Sequence, residues 1–227
     1  MKIAIGSAFR NSAGRHISRY MNQVDNLHSY LNTLGWQLRI IAVEGDSTDR
    51  TRQELTTFGQ GLGIPFELVT RNHGKKVFGS TEEPERMKAL SYVGNGILES
   101  VREEDDALIY VESDLLWSPT TMVSLLQKLG PGIDCISPLI FAGQAFYDIW
   151  AFRKNGHRFG PFHPFHGDLK FDEPTACDST GSCLVMKGEV ARACRIIDDE
   201  ALVGFGRDVW AKGFTLYCDA RERIFHP

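Results

Sequence analysis

Ala107-Leu108-Ile109-Tyr110-Val111-Glu112-Ser113-Asp114 decides how this chain is read. The apolar run Ala107 to Val111 reads as a buried central strand, and it opens directly into two acids. In open α/β sheets, ligands bind outside the carboxyl ends of the strands, which is where Glu112 and Asp114 stand. Alternate strand residues share a face, so the two carboxylates are expected to point the same way. Like charges so placed repel unless something positive lies between them. A hard cation such as Mg²⁺ or Mn²⁺ suits oxygen ligands and often joins protein carboxylates to substrate phosphates. Acidic pairs that follow a strand are also common as plain surface charge, so this pair does not decide the matter by itself.

The flanking sequence alternates strand and helix. Lys2 to Ala8 reads as a first strand. From His16 to Leu34 the apolar positions Ile17, Tyr20, Met21, Val24, Leu27, Tyr30, Leu31 and Leu34 have helical spacing, and Gly35 closes the helix. Leu38 to Val43 and Pro65 to Val69 read as strands, and Pro84 to Val101 as a helix. Ser118-Pro119 caps another helix with proline at its first position, and Ile133 to Ile136 reads as a fifth strand. This order predicts an α/β fold with a mostly parallel central sheet flanked by helices. The polar clusters Ser7–Arg10, Glu44–Asp49 and Glu112–Asp114 each follow a strand, so all three are expected on one rim. After Pro138 the rhythm changes. Phe141 to Phe171 is rich in Gly, His, Phe and Pro and reads as loops with short strands. Ser182 to Met186 and Phe214 to Cys218 read as strands, Glu189 to Ile197 as a helix and Gly206 to Lys212 as a short helix.

Composition narrows the class. The chain has 227 residues, enough for one domain with a sizeable core. Its net charge of -4 builds in no general attraction to nucleic acid or anionic lipid. No apolar run is long enough to span a bilayer, and the opening residues turn polar at Ser7 without the apolar stretch of a signal peptide. The five cysteines fit neither a zinc site nor a small disulfide scaffold, so reduced thiols in a cytoplasmic protein are expected. There is no Walker loop and no Rossmann glycine fingerprint.

In order and spacing over nearly the whole chain, these pieces resemble the GT-A class of nucleotide-sugar glycosyltransferases. Ala42 to Thr51 looks like the acidic turn after the second strand, where Glu44 and Asp46 would contact the donor nucleoside, with Ala8 and Arg10 beside them. Arg86 and Asn95 are similar to the Arg and Asn of the helix before the metal strand, a further donor contact. Glu112-Ser113-Asp114 stands where the Asp-x-Asp motif belongs. The resemblance implies Asp114, His226 and Glu112 as metal ligands, with Glu112 and Ser113 also touching the donor. Gly181 to Met186 looks like the Gly-rich strand near the acceptor, and Gly206 to Gly213 resembles the late acidic helix start, where only Asp208 is left to act as general base. Phe146 to Arg153 is similar to a segment of fungal capsule-associated and Golgi mannosyltransferases, which implies acceptor contacts from Tyr147, Asp148 and Trp150 as well as Gly181.

The resemblance therefore implies a GT-A (Rossmann-like) single domain over residues 1–227. Residues 1–137 would form the nucleotide-sugar-binding half and residues 138–227 the acceptor-binding half. It implies transfer of a sugar from a UDP- or GDP-sugar with Mn²⁺ or Mg²⁺. The acceptor is open among a glycan, a lipid-linked sugar, a protein and a hydroxymethylated DNA base, so nucleic acid enters only as an acceptor. A sugar nucleotidyltransferase and a non-catalytic nucleotide-sugar-binding module are the alternatives. Two further constellations stay open: His157, His163 and His166 as a second metal site or acceptor loop, and the basic stretch Asn72 to Lys76 as a phosphate contact or a solvated loop.

Overall fold

The protein was analysed as a computed structural model that describes residues 1–74, 77–78, 83–197 and 199–227. Four strands, β1 (Lys2–Phe9), β2 (Gln37–Glu44), β3 (Phe66–Thr70) and β4 (Ala107–Val111), pair in parallel in the order β3-β2-β1-β4. Parallel pairing needs a crossover, and helices supply it: α1 (Ile17–Thr33), α2 (Thr51–Gly61) and α3 (Pro84–Glu99). After α4 (Pro119–Lys128) come β5 (Cys135–Ala142) and four short strands: β6 (Ala145–Phe146), β7 (Arg153–Lys154), β8 (His157–Arg158) and β9 (Thr175–Ala176). The chain ends with β10 (Cys183–Lys187), α5 (Gly188–Ala193), α6 (Ala201–Ala211) and β11 (Leu216–Phe225). The sheet continues from β4 as β10-β5-β11-β9, with β10 antiparallel to both neighbours and β11 parallel to β5. The expected central sheet flanked by helices is therefore present, all parallel over β3-β2-β1-β4 and mixed beyond β4.

Strand alternation divides the core between the two faces of the sheet. Ile3, Ile5, Ile40, Ile109 and Val111 pack with the buried stripe of α1, while Ala4, Ile41, Val43, Leu108 and Tyr110 pack with Ile97, Val190 and Phe205 of α3, α5 and α6. Both faces are covered, which is why these strands are apolar throughout. All five cysteines are buried and unbridged. Among the described residues, no helix is long and apolar enough to cross a membrane.

Two elements run past their sequence limits. α6 begins at Ala201, not at Gly206. Gly204 and Gly206 lower its intrinsic helicity, but Leu202, Val203, Phe205 and Val209 bury a continuous stripe that outweighs them. β11 continues to Phe225, whereas its apolar signal ends at Cys218. The charged continuation Asp219 to Arg223 hides the strand because it forms a bulge: Asp219 lies opposite Pro138 and Arg223 opposite Leu139. Lys128 Nζ bridges the bulge, at 2.7 Å from Asp219 and 2.9 Å from Glu222. Arg221 Nε closes on Asp219 at 2.8 Å. Beyond the bulge, Phe225 bridges to Leu116, and the His226 N–H donates to the Phe141 carbonyl at 2.7 Å.

Burial by itself would raise the pKa of Asp219, but hydrogen bonds from Arg221 and Lys128 overcome it and hold the carboxyl down to about 2. A carboxyl depressed on folding stabilises the fold above its unfolded value and loses that contribution as pH falls through the folded value. Asp219→Asn is expected to lower stability at neutral pH by on the order of 2 kcal/mol. It should also flatten the acid limb between about pH 4 and pH 2. Urea titrations of both proteins across that window check this.

Candidate functional site

Parallel register sets the position of the rim. Phe9 of β1 pairs with Glu44 of β2, and Gly6 pairs with Tyr110 of β4, so the three polar clusters that follow these strands are neighbours, as their sequence positions implied. At the β1–β2 end, Glu44 is buried and accepts the Ser47 N–H at 3.2 Å. Asp46 adopts a left-handed backbone with φ 56 and accepts the N–H groups of His73 at 2.7 Å and Gly74 at 3.1 Å. Arg10 Nη1 lies 3.3 Å from His73 Nε2. Asp46 thereby ties the segment after β3 to the β2 turn, with Arg10 alongside. Lys75 and Lys76 of the basic stretch lie outside the described residues.

Next to β4, Ser113 is buried and donates from Oγ to the Ala8 carbonyl at 2.7 Å, with His16 Nε2 3.1 Å from the same oxygen. Ala8 and Ser113 thus tie the tips of β1 and β4 together. Arg19 Nη2 donates to the Asp114 carbonyl at 2.7 Å, which fixes the turn.

A cleft of about 460 Å³ opens on the other side of Glu112. Arg86, Glu112, Tyr147, Asp148, Trp150 and Gly181 all line it, so six of the expected donor and acceptor residues share one cavity. Asp148 is anchored through one oxygen: Oδ2 accepts the Ser182 N–H at 2.7 Å and the Ser182 hydroxyl at 2.9 Å. Gly181 makes room for it, because a Cβ there would lie 1.7 Å from Asp148 Oδ2. Burial raises the Asp148 pKa against the opposing Ser182 hydrogen bonds. Burial also pushes Glu112 up to about 8, helped by the charges of Asp148 and Asp114 and opposed by Ser182 and Arg86. Tyr147 is pushed up to about 12 by burial and by the same three carboxylates.

Asp114 and His226 meet beside this cleft. His226 Nε2 lies 3.4 Å from Asp114 Oδ2, and its ring stacks on Tyr147 with centroids 4.1 Å apart. Asp114 Oδ1 is out of contact with solvent and has no hydrogen-bond partner among the described residues. A carboxylate oxygen so placed next to an imidazole fits a divalent cation with mixed oxygen and nitrogen donors. No group of three or more His, Cys, Asp or Glu side chains among the described residues assembles a metal site. The fit is therefore to an ion that takes its other ligands from a substrate, as phosphate-bound Mg²⁺ commonly does. Glu112 is the residue just before the turn at Ser113-Asp114; its N–H still donates to the Ser182 carbonyl at 2.8 Å, and its carboxyl is near enough to Asp114 to be raised by that charge.

Two expected site residues are committed elsewhere. Asn95 clamps the cleft wall: its side chain accepts the Ile196 N–H at 2.8 Å and donates to the Ile196 carbonyl at 3.1 Å. Asp208 is buried and does not line the cleft; Oδ2 accepts the Arg195 N–H and the Lys212 ammonium, both at 2.7 Å. At the start of α6, the residues that reach the cleft are Ala201 and Leu202. Ser182 and Arg158 also line the cleft, and sequence reading did not single them out. Arg158 had a local signal in Lys154-Asn155-Gly156-His157, since Asn-Gly between two short strands marks a tight hairpin. His163 and His166 pack in the phenylalanine-rich loop, where His163 stacks on Phe171 and His166 lies 5.2 Å from Phe159, while His157 is in β8.

The mannosyltransferase PcManGT from Pyrobaculum calidifontis, solved in complex with GDP-Man and Mn²⁺, superposes with a TM-score of 0.62 at 11% identity, covering 98% of this chain and 56% of its own. TarS residues 1–349 from S. aureus, solved with UDP, gives 0.59 at 12% identity, covering 99% and 60%. The 4-diphosphocytidyl-2C-methyl-D-erythritol synthase from Anaerococcus prevotii gives 0.52 at 10% identity, covering 99% and 89%. At such identities the likeness is one of fold, and this chain spans little more than half the length of the first two. No curated protein sequence matches it. Residues 2–180 match the family described as Cryptococcal mannosyltransferase 1, a stretch that contains the rim, Asp114 and the Phe146 to Arg153 segment. With most of its length matched on a GT-A fold, the chain belongs to this family of glycosyltransferases.

Proposed function

We propose that this protein transfers a mannosyl or related hexosyl residue from a nucleoside diphosphate sugar to a saccharide hydroxyl. The observation that carries the reading is the convergence of Arg86, Glu112, Tyr147, Asp148 and Gly181 on one cleft beside the Asp114–His226 pair. The nucleoside lies at the β1–β2 end near Arg10, Glu44 and Asp46, and the diphosphate runs past Ser113 toward Asp114. Asp114 and His226 hold Mn²⁺ or Mg²⁺, which when bound supplies counter-charge for the leaving diphosphate. Arg86 adds a second positive charge at the cleft wall and stabilises charge that builds up there during the reaction.

The acceptor occupies the part of the cleft walled by Tyr147, Asp148 and Trp150. Aromatic faces stack on sugar rings, and Asp148 offers Oδ1, which has no hydrogen-bond partner among the described residues, to the incoming hydroxyl. Asp148 is thus better placed than Asp208 to take the acceptor proton, and its raised pKa brings it closer to that task. The domain reading follows the same lines, with residues 1–137 serving the donor and 138–227 the acceptor. The nucleotidyltransferase likeness makes product identity the deciding measurement, because sugar transfer releases a nucleoside diphosphate whereas nucleotidyl transfer releases pyrophosphate.

Three outcomes are expected. With GDP-mannose, UDP-glucose and UDP-N-acetylglucosamine offered in Mn²⁺, one donor should raise the thermal midpoint and be turned over to its nucleoside diphosphate; pyrophosphate as the product would overturn the proposal. A ligand that binds only the folded state adds about 2.7 kcal/mol at a hundredfold excess over its dissociation constant, which a melting curve resolves. Asp114→Ala should abolish Mn²⁺-dependent donor binding in the same assay, whereas Asn95→Ala should lower stability first. Asp148→Asn should lower kcat by about 10²–10⁴-fold while leaving donor binding intact, and Asp208→Asn should lower stability with kcat nearly unchanged. The reverse ranking of the last two variants would return the base role to Asp208.

A further inference from the structure

A second groove of about 500 Å³ lies behind the cleft wall, lined by Arg153, Lys154, Asp178, Arg207 and Trp210 among others. Its construction begins with the hairpin that sequence reading passed over. β7 and β8 pair Arg153 with Arg158 and Lys154 with His157, leaving the two-residue turn Asn155-Gly156. Both turn residues have positive φ, 51 and 77, which Asn-Gly adopts readily and which matches the twist of the flanking strands. The hairpin is fastened to the groove floor: Arg153 N–H donates to the Ser179 carbonyl at 3.1 Å, Asp178 N–H to the Arg153 carbonyl at 2.8 Å, and Gly156 N–H to Asp178 Oδ2 at 2.7 Å. Arg153 and Lys154 are therefore presented on rigid backbone.

Their charges are poorly compensated. Arg207 pairs with Glu200. Arg153 and Lys154 have no carboxylate partner among the described residues; Lys154 Nζ donates only to the Ala176 carbonyl at 2.9 Å, and Arg153 Nε is buried without a hydrogen-bond acceptor. The acid at the groove, Asp178, gives one oxygen to the Gly156 N–H. Across the groove, Trp210 is held by its indole N–H on the Cys177 carbonyl at 2.9 Å and stays 41% exposed. Cations opposite an exposed indole suit a sugar ring that bears an anionic group: the ring stacks, and the guanidinium takes the anion through paired hydrogen bonds.

The groove is also a neighbour of the cleft, with Trp150 between them. Arg153 and Arg158 both lie over the Trp150 ring, at 5.6 and 5.7 Å from its centroid, and Arg158 and Trp150 line the cleft itself. We propose that this groove is an acceptor subsite for an anionic saccharide, seating a charged sugar unit on Arg153, Lys154 and Trp210 while the neighbouring unit enters the cleft past Trp150. Its role as an acceptor subsite rests on the transferase reading above; the binding chemistry does not.

The test measures binding and donor turnover separately. By calorimetry, a tetrasaccharide of galacturonic acid is expected to bind the wild type at least tenfold more tightly than its fully methyl-esterified form, and less tightly as salt is added. Lys154→Gln and Trp210→Ala, both at the groove and outside the catalytic cleft, should each weaken uronate binding several-fold and leave Mn²⁺-dependent hydrolysis of the donor by water unchanged. Arg153→Gln should weaken it further, with the two milder variants deciding the case if that protein folds poorly. Equal affinity for the methyl ester, or variants that bind like the wild type, would overturn the proposal. Displacement of the tetrasaccharide by equimolar inorganic phosphate would reduce the groove to a small-anion site and also overturn it. Uronate binding without donor turnover would keep the groove and refute the transferase reading; donor turnover without uronate binding would do the opposite.

Discussion

Three carboxylates gathered near the tip of β4 set the terms for the rest of the structure. Asp148 and Asp114 both raise Glu112, and burial with all three pushes the Tyr147 hydroxyl up to about 12. Such a concentration of negative charge is unfavourable unless protons, cations or hydrogen-bond donors offset it. The protein offsets only part of it. Ser182 gives two donors to Asp148, Arg86 reaches the cleft, and His226 approaches Asp114. Glu112, raised to about 8, also keeps its proton at neutral pH, and the negative charge that is left is what the proposed cation would offset.

Holding these groups together requires elements remote in sequence, and the fold supplies each by a different device. Parallel register puts the tips of β1, β2 and β4 side by side. The glycine at position 181 lets β10 approach close enough for Ser182 to bind Asp148. The β11 bulge, braced by Lys128 between Asp219 and Glu222, sets the register in which His226 arrives. A buried ion pair of this kind is weak evidence for stability, but it fixes one arrangement of the chain against its alternatives.

The same economy extends to the residues that leave the site. The sequence resemblance implied Asp208 as a general base because it is the one acid in the late helical segment Gly206 to Gly213. Its carboxylate instead fastens α6 to the end of α5 through Arg195 and to its own next turn through Lys212. Asn95 likewise spends both ends of its amide on the backbone of Ile196 and so shapes the cleft wall from behind. Both are polar residues whose hydrogen-bonding capacity is consumed by the scaffold, an outcome that residue type and spacing cannot reveal.

The sequence by itself determined the α/β order, the sheet core and the rim. Hydrophobic periodicity is a local property, and a parallel sheet forces the polar ends of its strands to one side. The position of Asp114 at the rim and the convergence of Tyr147, Asp148, Trp150 and Gly181 were legible because they sit in short motifs next to strongly patterned strands. Tertiary structure alone decided which polar groups face the cleft and which are used up within the scaffold. It also brought His226, at the far end of the chain, to 3.4 Å from Asp114. The full length of β11 and the cationic groove beside Trp150 were likewise hidden, since a charged bulge carries no apolar signal and a groove is formed by segments distant in the chain.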